Sequence, residues 1–246
     1  MRNINILNNS GINKDIYGYW PLNETGGKII TDRIGGHNAT TTSDITQKGS
    51  EWGGAMSFSN SNYITCSNID IPPFPMTMSF WVYLNGFGTF PVSSVHHEFF
   101  RLDNGIVLYF TQSGTSNWQL RTSITDGAGT DARNILNGVL APGSNKRKYG
   151  HVVIQATTTT TTTSFLNGTY NRTIPKGVPN NFTSFTIGTG SSEVTFKMID
   201  LKIWKRLLNN NEIFQLSQRP YYGTEVGITR YQEIISTRKG SWFFFD

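Results

Sequence analysis

The 246-residue chain has a single cysteine, Cys66, which excludes an intrachain disulfide, so the fold must be held by packing and hydrogen bonds. Charged residues make up only 15% of the chain, below the roughly 25% of an average soluble domain. No apolar run approaches the roughly 18 residues that a membrane helix needs, and no membrane partner is predicted. The first ten residues lack the apolar core of a secretion signal, so none is predicted.

The charge balance is mildly basic, with 21 Lys and Arg against 16 Asp and Glu and a formal net charge of +5. The main basic cluster, Lys146-Arg147-Lys148, is too short to form a face that binds nucleic acid. The sequence therefore predicts that nucleic acid is not a partner.

What the chain does have is 13% aromatic residues and 25 glycines, with turn signals at short intervals. Between the turns lie roughly a dozen short apolar or alternating runs, a pattern typical of a sandwich or barrel. The segment 196–204 alternates strictly, with Asp200 as one charged position in a half-buried strand. This segment and the Trp- and Tyr-rich segment 17–24 are predicted to be the last and first strands of one closed unit. The seven threonines 157–163 are predicted to form two strand ends and a turn.

Three parts of the chain are predicted from these patterns: an extended polar arm over 1–15, a domain over 16–217 and a tail over 218–246. Asn209 is predicted to cap a short helix at the end of the domain, with Glu212 completing a capping box. The tail ends in four consecutive aromatic residues, Trp242 to Phe245. Aromatic side chains are costly to leave in water, so these either pack back on the domain or dock onto a partner.

Eight segments match blocks of one known family in the family's own order. Tyr19-Trp-Pro-Leu-Asn-Glu24 resembles its opening strand, and Asp32-Arg-Ile-Gly-Gly-His-Asn-Ala-Thr40 resembles its Asp-x-x-Gly-x-x-Asn-Gly-Thr loop. The other matching blocks are Trp52–Phe58, Met76–Val82, Tyr149–Ile154, Phe165–Gly168, Phe185–Gly188 and Ile199–Trp204. The chain thus resembles a laminin-G-like domain of the concanavalin A-like superfamily, found in bacterial and phage adhesion proteins. The resemblance implies an all-β jelly-roll sandwich of two antiparallel sheets with one short C-terminal helix.

A structural Ca²⁺ is a further implication of the resemblance, because jelly rolls of this type often hold one. Asp200 is the first candidate ligand and Asp32 the second, since carboxylate oxygens suit this hard cation. The chain departs from the family at Leu201, where a second acidic residue usually stands. The alternative is that Asp200 pairs with a nearby Lys or Arg, or accepts backbone hydrogen bonds.

No enzyme activity is predicted, although related glucanases share the fold. Hydrolysis of a glycosidic bond needs two carboxylates that flank it, and such a cluster on one strand is missing from the sequence. The triplet His96-His97-Glu98 does not replace it, because neighbouring strand residues point to opposite faces and do not easily share one ion.

Sugar recognition is predicted for a small set of aromatic and polar residues. Aromatic rings stack on pyranose faces while amides and carboxylates hold hydroxyl groups. The predicted ligand-binding residues are Trp118, Tyr109, Asn104 and Asp126. The alternative for the aromatic pair is a place in the core, which is the commoner one.

Two functions follow from these observations. The leading hypothesis is a non-enzymatic structural or adhesion protein of a virus particle, a phage capsid-decoration or fibre component that binds glycans. Its expected partners are other virion proteins, bound through the N-terminal arm and C-terminal tail, and cell-surface glycans; a homo-oligomer is compatible with the sequence. The alternative is a carbohydrate-binding lectin module of a bacterial surface or secreted protein, located at the cell surface or outside the cell.

Overall fold

A computed structural model gives the fold of the chain. It describes residues 11–43, 55–58, 62–87, 96–103, 105–113, 117–125, 130–137, 149–158, 161–175, 177, 180–188 and 194–218. Nearly all regular structure in these ranges is antiparallel β, as the sequence predicted. No helix in the described part is long and apolar enough to cross a membrane.

The first sheet has seven strands in the order β1-β15-β6-β11-β12-β13, with β4 also paired to β15. Its strands are β1 (Ile16–Trp20), β4 (Met56–Phe58), β6 (Met76–Phe87), β11 (Tyr149–Thr158), β12 (Thr161–Leu166), β13 (Thr169–Ile174) and β15 (Val194–Trp204). The pairing of β1 with β15, in which Trp20 lies opposite Leu201, confirms the prediction that the first and last strands are neighbours.

The second sheet has eight strands in the order β10-β9-β8-β7-β14-β5-β3-β2. Its strands are β2 (Ile29–Ile30), β3 (Ala39–Thr41), β5 (Ile64–Ile71), β7 (His96–Leu102), β8 (Ile106–Ser113), β9 (Asn117–Thr125), β10 (Thr130–Asn137) and β14 (Phe182–Ile187). The two sheets form the predicted jelly-roll sandwich.

The core between the sheets is rich in phenylalanine. Phe99 stacks on Phe110 with ring centroids 4.4 Å apart, and Phe58 stacks on Phe196 at 4.8 Å. Burying one such side chain contributes about 1.5–3 kcal/mol. This packing holds a fold in which Cys66 is a free, buried thiol.

A second, smaller cluster covers one end of the outer face of the first sheet. It forms where helix α1 (Asn210–Gln218) packs on the sheet, and its buried members are Val153, Phe165, Trp204, Leu208 and Ile213. The backbone N–H of Glu212 donates to Asn209 Oδ1 at 3.0 Å, and the N–H of Asn209 donates to Glu212 Oε2 at 2.8 Å. These two bonds confirm the predicted capping box.

Two smaller predictions have clear outcomes. Thr157 and Thr158 end β11 and Thr161 begins β12, so the threonine run supplies two paired strand ends as predicted. The arm predicted over 1–15 contacts the domain from Gly11 onward: Trp204 Nε1 donates to the Ile12 carbonyl at 2.8 Å, and Arg206 also bonds there. The tail beyond Gln218 lies outside the described residues.

Candidate functional site

A continuous row of side chains crosses the outer face of the second sheet. Its register runs from Thr40 on β3 through Thr65, Thr186, Arg101 and Val107 to Ser123 on β9. Their strand neighbours point inward to the core, as Ile64, Phe185 and Leu108 do, so these six point outward. We call these six residues the outer row.

The outer row is long enough for an extended ligand. Neighbouring strands lie about 4.8 Å apart, so six strands span on the order of 24 Å from Thr40 to Ser123. Thr40 and Arg101 are exposed, and the other four residues are half-buried. Five of the six residues are polar, and Val107, between Arg101 and Ser123, is apolar. The hydroxyl groups of Thr and Ser both donate and accept hydrogen bonds, so the row offers mixed polar groups on either side of Val107.

Arg101 is the charged centre of the outer row. Its Nε donates to Glu98 Oε1 at 2.7 Å, and its Nη2 donates to Glu98 Oε2. The hydrogen bonds to Glu98 raise the pKa of Arg101. A guanidinium has five N–H donors and this fork engages two of them, which leaves Nη1 for another acceptor. The Arg101 side chain is 51% exposed, so that acceptor can arrive from solvent.

Two further carboxylates lie at the start of β14. Asp103 Oδ1 accepts the backbone N–H of Thr183 at 2.8 Å, and its Oδ2 accepts the Thr183 hydroxyl. Asp70 Oδ1 accepts Asn181 Nδ2 at 2.6 Å. These contacts fix the loop that leads into β14 and so hold Thr186 in register with its neighbours.

Of the four ligand-binding residues predicted from the sequence, Tyr109 is the one whose side chain the structure describes. Tyr109 lies on the same face as the outer row, but only 5% of it is exposed, so its ring cannot stack on a sugar. The backbone of Trp118 pairs with Gln112, while its side chain lies outside the described part. Asn104 and Asp126 also lie outside the described residues.

Sequence reasoning missed the outer row because its members are scattered over the chain. Thr40 and Thr186 are separated by more than half of the sequence, and only the cross-strand register brings them to one line. The signal that was present is the polar outward position in five of the six strands, but it does not tell which strands are neighbours.

Asp32, the second metal candidate, accepts hydrogen bonds from several backbone N–H groups. Its Oδ1 accepts the N–H groups of Tyr19 at 2.9 Å and Ile34 at 3.0 Å, and its Oδ2 accepts the N–H of His37 at 3.0 Å. His37 Nδ1 lies a further 3.3 Å from Oδ2. The carboxylate thus ties β1 to the loop that precedes β3.

Asp200, the first metal candidate, forms an ion pair. Its Oδ2 lies 2.8 Å from Lys202 Nζ, and both side chains are nearly inaccessible. Among the described residues there is no group of three or more His, Cys, Asp or Glu side chains that could hold a metal. Asp200 therefore faces an ammonium, and Asp32 faces amide donors. The pairing with Lys202 is the alternative that the sequence left open.

His151 is buried on the outer face of the first sheet, away from the outer row. Its Nε2 lies 2.8 Å from Ser79 Oγ, and its ring centroid lies 5.0 Å from that of Trp81. Burial, with a smaller effect of Lys202, lowers the pKa of His151 to about 3. The ring is therefore neutral at ordinary pH and has a structural role.

The fold and its outer face define a lectin-like jelly-roll domain. The model of the family described as the concanavalin A-like lectin/glucanases superfamily matches residues 58–214. The chain belongs to this superfamily. Among curated proteins, none matches the chain.

Several solved structures with the same fold are binding domains of toxins. The binding domain of Paraclostridial Mosquitocidal Protein 1 has a TM-score of 0.63 at 11% identity, over 84% of this chain and 52% of that chain. The receptor binding domain of botulinum neurotoxin D has a TM-score of 0.62 at 12% identity, over 85% and 53%. The ligand binding domain of botulinum neurotoxin serotype D, in complex with N-acetylneuraminic acid, has a TM-score of 0.63 at 12% identity, over 83% and 50%. The chain spans about half the length of these domains, and at such identities the likeness shows the fold alone.

Proposed function

We propose that the protein is a non-enzymatic recognition domain that binds a glycan along the outer row. The observation that carries this proposal is the row itself, an unbroken line of outward side chains across six strands with Arg101 near its middle. A glycan presents hydroxyl groups at regular intervals, and a line of Thr and Ser hydroxyls can pair with several of them at once.

Hydrogen bonding rather than ring stacking drives recognition in this proposal. Glu98 holds the Arg101 guanidinium in one orientation, so little side-chain entropy is lost when a ligand accepts its remaining N–H groups. Hydrogen bonds to a charged group contribute about 1.5–3 kcal/mol each. Arg101 should therefore contribute more to affinity than any single hydroxyl of the row.

The contacts of Glu98 support the non-enzymatic part of the proposal. Both of its oxygens pair with Arg101, whereas a glycosidase needs one carboxyl group to deliver a proton and a second to act across the sugar.

The structural neighbours support a glycan as the class of ligand, and they support no other part of the proposal. One of them is described in complex with N-acetylneuraminic acid, and the binding domain of botulinum neurotoxin DC is described in complex with SialylT. Because this chain spans about half of each, those sugars do not by themselves place a ligand on this half. The setting in which the domain works, a virus particle or the surface of a cell, stays a prediction from the sequence.

A glycan array followed by calorimetry tests the proposal. The wild-type protein should give saturable binding to at least one glycan class. Arg101→Met should weaken that binding by roughly ten- to a hundredfold, because a charged hydrogen bond is lost. Thr186→Val, which keeps the side-chain shape, should weaken it by severalfold.

The matched control is Arg172→Met, since Arg172 is an exposed arginine on β13 of the opposite sheet. It should leave affinity within about twofold of wild type, because it touches no part of the row. Melting temperatures show whether each variant is folded. Binding that is equal in wild type, Arg101→Met and Thr186→Val would move the site off the outer row.

A further inference from the structure

A buried ion pair lies on the outer face of the first sheet, opposite to the proposed glycan site. Lys202 Nζ is 2.8 Å from Asp200 Oδ2, and the two side chains are 8% and 6% exposed. Lys202 Nζ also lies 4.7 Å from the centroid of the Tyr19 ring. The ammonium is thus held between a carboxylate and the face of an aromatic ring, two groups that both favour a cation.

The backbone around Asp200 is shaped for this contact. The register of β15 against β6 shifts between Ile199 and Lys202, and Asp200 has a φ of 67°. A positive φ is unfavourable for a residue with a side chain and persists where surrounding contacts hold it. One such contact is the hydrogen bond from the Asp200 N–H to the Pro21 carbonyl at 3.0 Å. The bulge therefore presents the carboxylate to Lys202 at the cost of a regular ladder.

We propose that the Lys202 ammonium serves as the fixed cation of this jelly roll, in the place where the family resemblance led us to expect calcium. Ca²⁺ binds oxygens at about 2.3–2.6 Å, so an ion on Asp200 Oδ2 would lie within about 5 Å of Lys202 Nζ, and an ion on Oδ1 within about 8 Å. In either place the ion would be repelled by the ammonium. A single carboxylate with a single ammonium is neutral, whereas the same carboxylate with Ca²⁺ leaves an excess charge to bury.

The residues that follow Asp200 in the sequence are consistent with an ammonium in place of a calcium ion. The position after Asp200, where the family resemblance led us to expect an acidic residue, is Leu201, and its side chain is fully buried in the core. The chain has no charge there and has a positive charge one residue later, at Lys202. Asp32 does not supply the missing acid, because its oxygens accept the backbone N–H groups of Tyr19, Ile34 and His37.

Two measurements on the whole chain test this proposal. The first titrates calcium chloride into the wild-type protein by calorimetry and compares melting temperatures in excess calcium and in EDTA. We expect no saturable heat, and we expect the melting temperatures in calcium and in EDTA to agree within about 1 °C. The reason is that an ion that does not bind the folded protein does not stabilise it. A calcium-dependent rise of several degrees that is lost in Asp200→Asn would overturn the proposal.

The second measurement compares substitutions on one strand. Lys202→Met removes the ammonium that faces a buried carboxylate and should lower the melting temperature by about 10 °C. Lys197→Met is the matched control, since Lys197 lies on the same strand and its Nζ lies 5.8 Å from the centroid of the Tyr83 ring, but its side chain is half-buried. This control variant should lower the melting temperature by about 2 °C or less.

The double variant Asp200→Asn with Lys202→Met separates loss of the pair from loss of packing. It removes both charges, so it should recover more than half of the temperature lost in Lys202→Met. If Lys202→Met is as mild as Lys197→Met, or if the double variant is no more stable than Lys202→Met, the ammonium is not the cation that the fold relies on.

Discussion

Acid should destabilise this protein through the buried histidine His151. A pH change from 7.5 to 5.0 is the perturbation, applied to the wild type and to His151→Gln. The His151 ring is in a fully buried position, beside Ser79 Oγ at 2.8 Å and near Lys202. A protonated ring there would lose its hydration and meet a second positive charge.

The sign and the size of the effect follow from the two pKa values. In the unfolded chain the histidine has its ordinary pKa of 6.5, and in the folded protein burial lowers that pKa to about 3. Between these values the unfolded chain binds a proton that the folded protein does not, so stability is lost as pH falls from 6.5 towards 3. At pH 5 the loss is about 2 kcal/mol, since each pH unit below 6.5 contributes about 1.36 kcal/mol.

Guanidinium unfolding followed by tryptophan fluorescence measures the effect. Glutamine does not titrate and can offer an acceptor near the position of Nε2, so His151→Gln should lose about 2 kcal/mol less than wild type between pH 7.5 and 5.0. The other three histidines are present in both proteins, and their contributions cancel in this comparison. If wild type and variant lose the same free energy, the histidine is not buried as a neutral ring and the reasoning fails.

Two further predictions concern single positions. Burial raises the pKa of the Cys66 thiol to about 12, and its Sγ lies 3.3 Å from the His37 carbonyl. A thiol reagent at pH 8 should therefore modify the native protein far more slowly than the unfolded chain. Equal rates of modification would place the thiol at the surface. Gly168 has a φ of 81°, and an added Cβ would come within 3.1 Å of the Phe214 backbone. Gly168→Ala should therefore lower the free energy of unfolding by about 1–3 kcal/mol in the same assay. The control is Gly26→Ala, whose Cβ would meet nothing within 4 Å and which should change that free energy by about 0.5 kcal/mol or less.

Local patterns in the sequence were sufficient to predict much of the fold. The strict alternation of 196–204 predicted β15, and the spacing of Asn209 and Glu212 predicted the capping box at α1. The sequence blocks that resemble the family predicted that these elements belong to one jelly roll, in which β1 and β15 are paired. Each of these features depends on residues that are close in sequence or on an ordered set of motifs.

The sites were harder to predict because they depend on register and on irregular backbone. The outer row joins six strands, and no local pattern tells that Thr186 lies between Thr65 and Arg101. The pairing of Asp200 with Lys202 needs a shift in register and a positive φ at Asp200, which alternation alone does not show. Tyr109 was predicted to be an exposed stacking residue, but its outward position on β8 is buried.

The most direct test of the proposed function is the affinity of the protein for a glycan, measured with the outer row intact and with Arg101 replaced. Calorimetry on a glycan selected from an array should show saturable binding to wild type, a roughly ten- to hundredfold loss in Arg101→Met and no more than about a twofold change in Arg172→Met. Absence of saturable binding to any glycan, or equal losses in both arginine variants, would contradict recognition along the outer row.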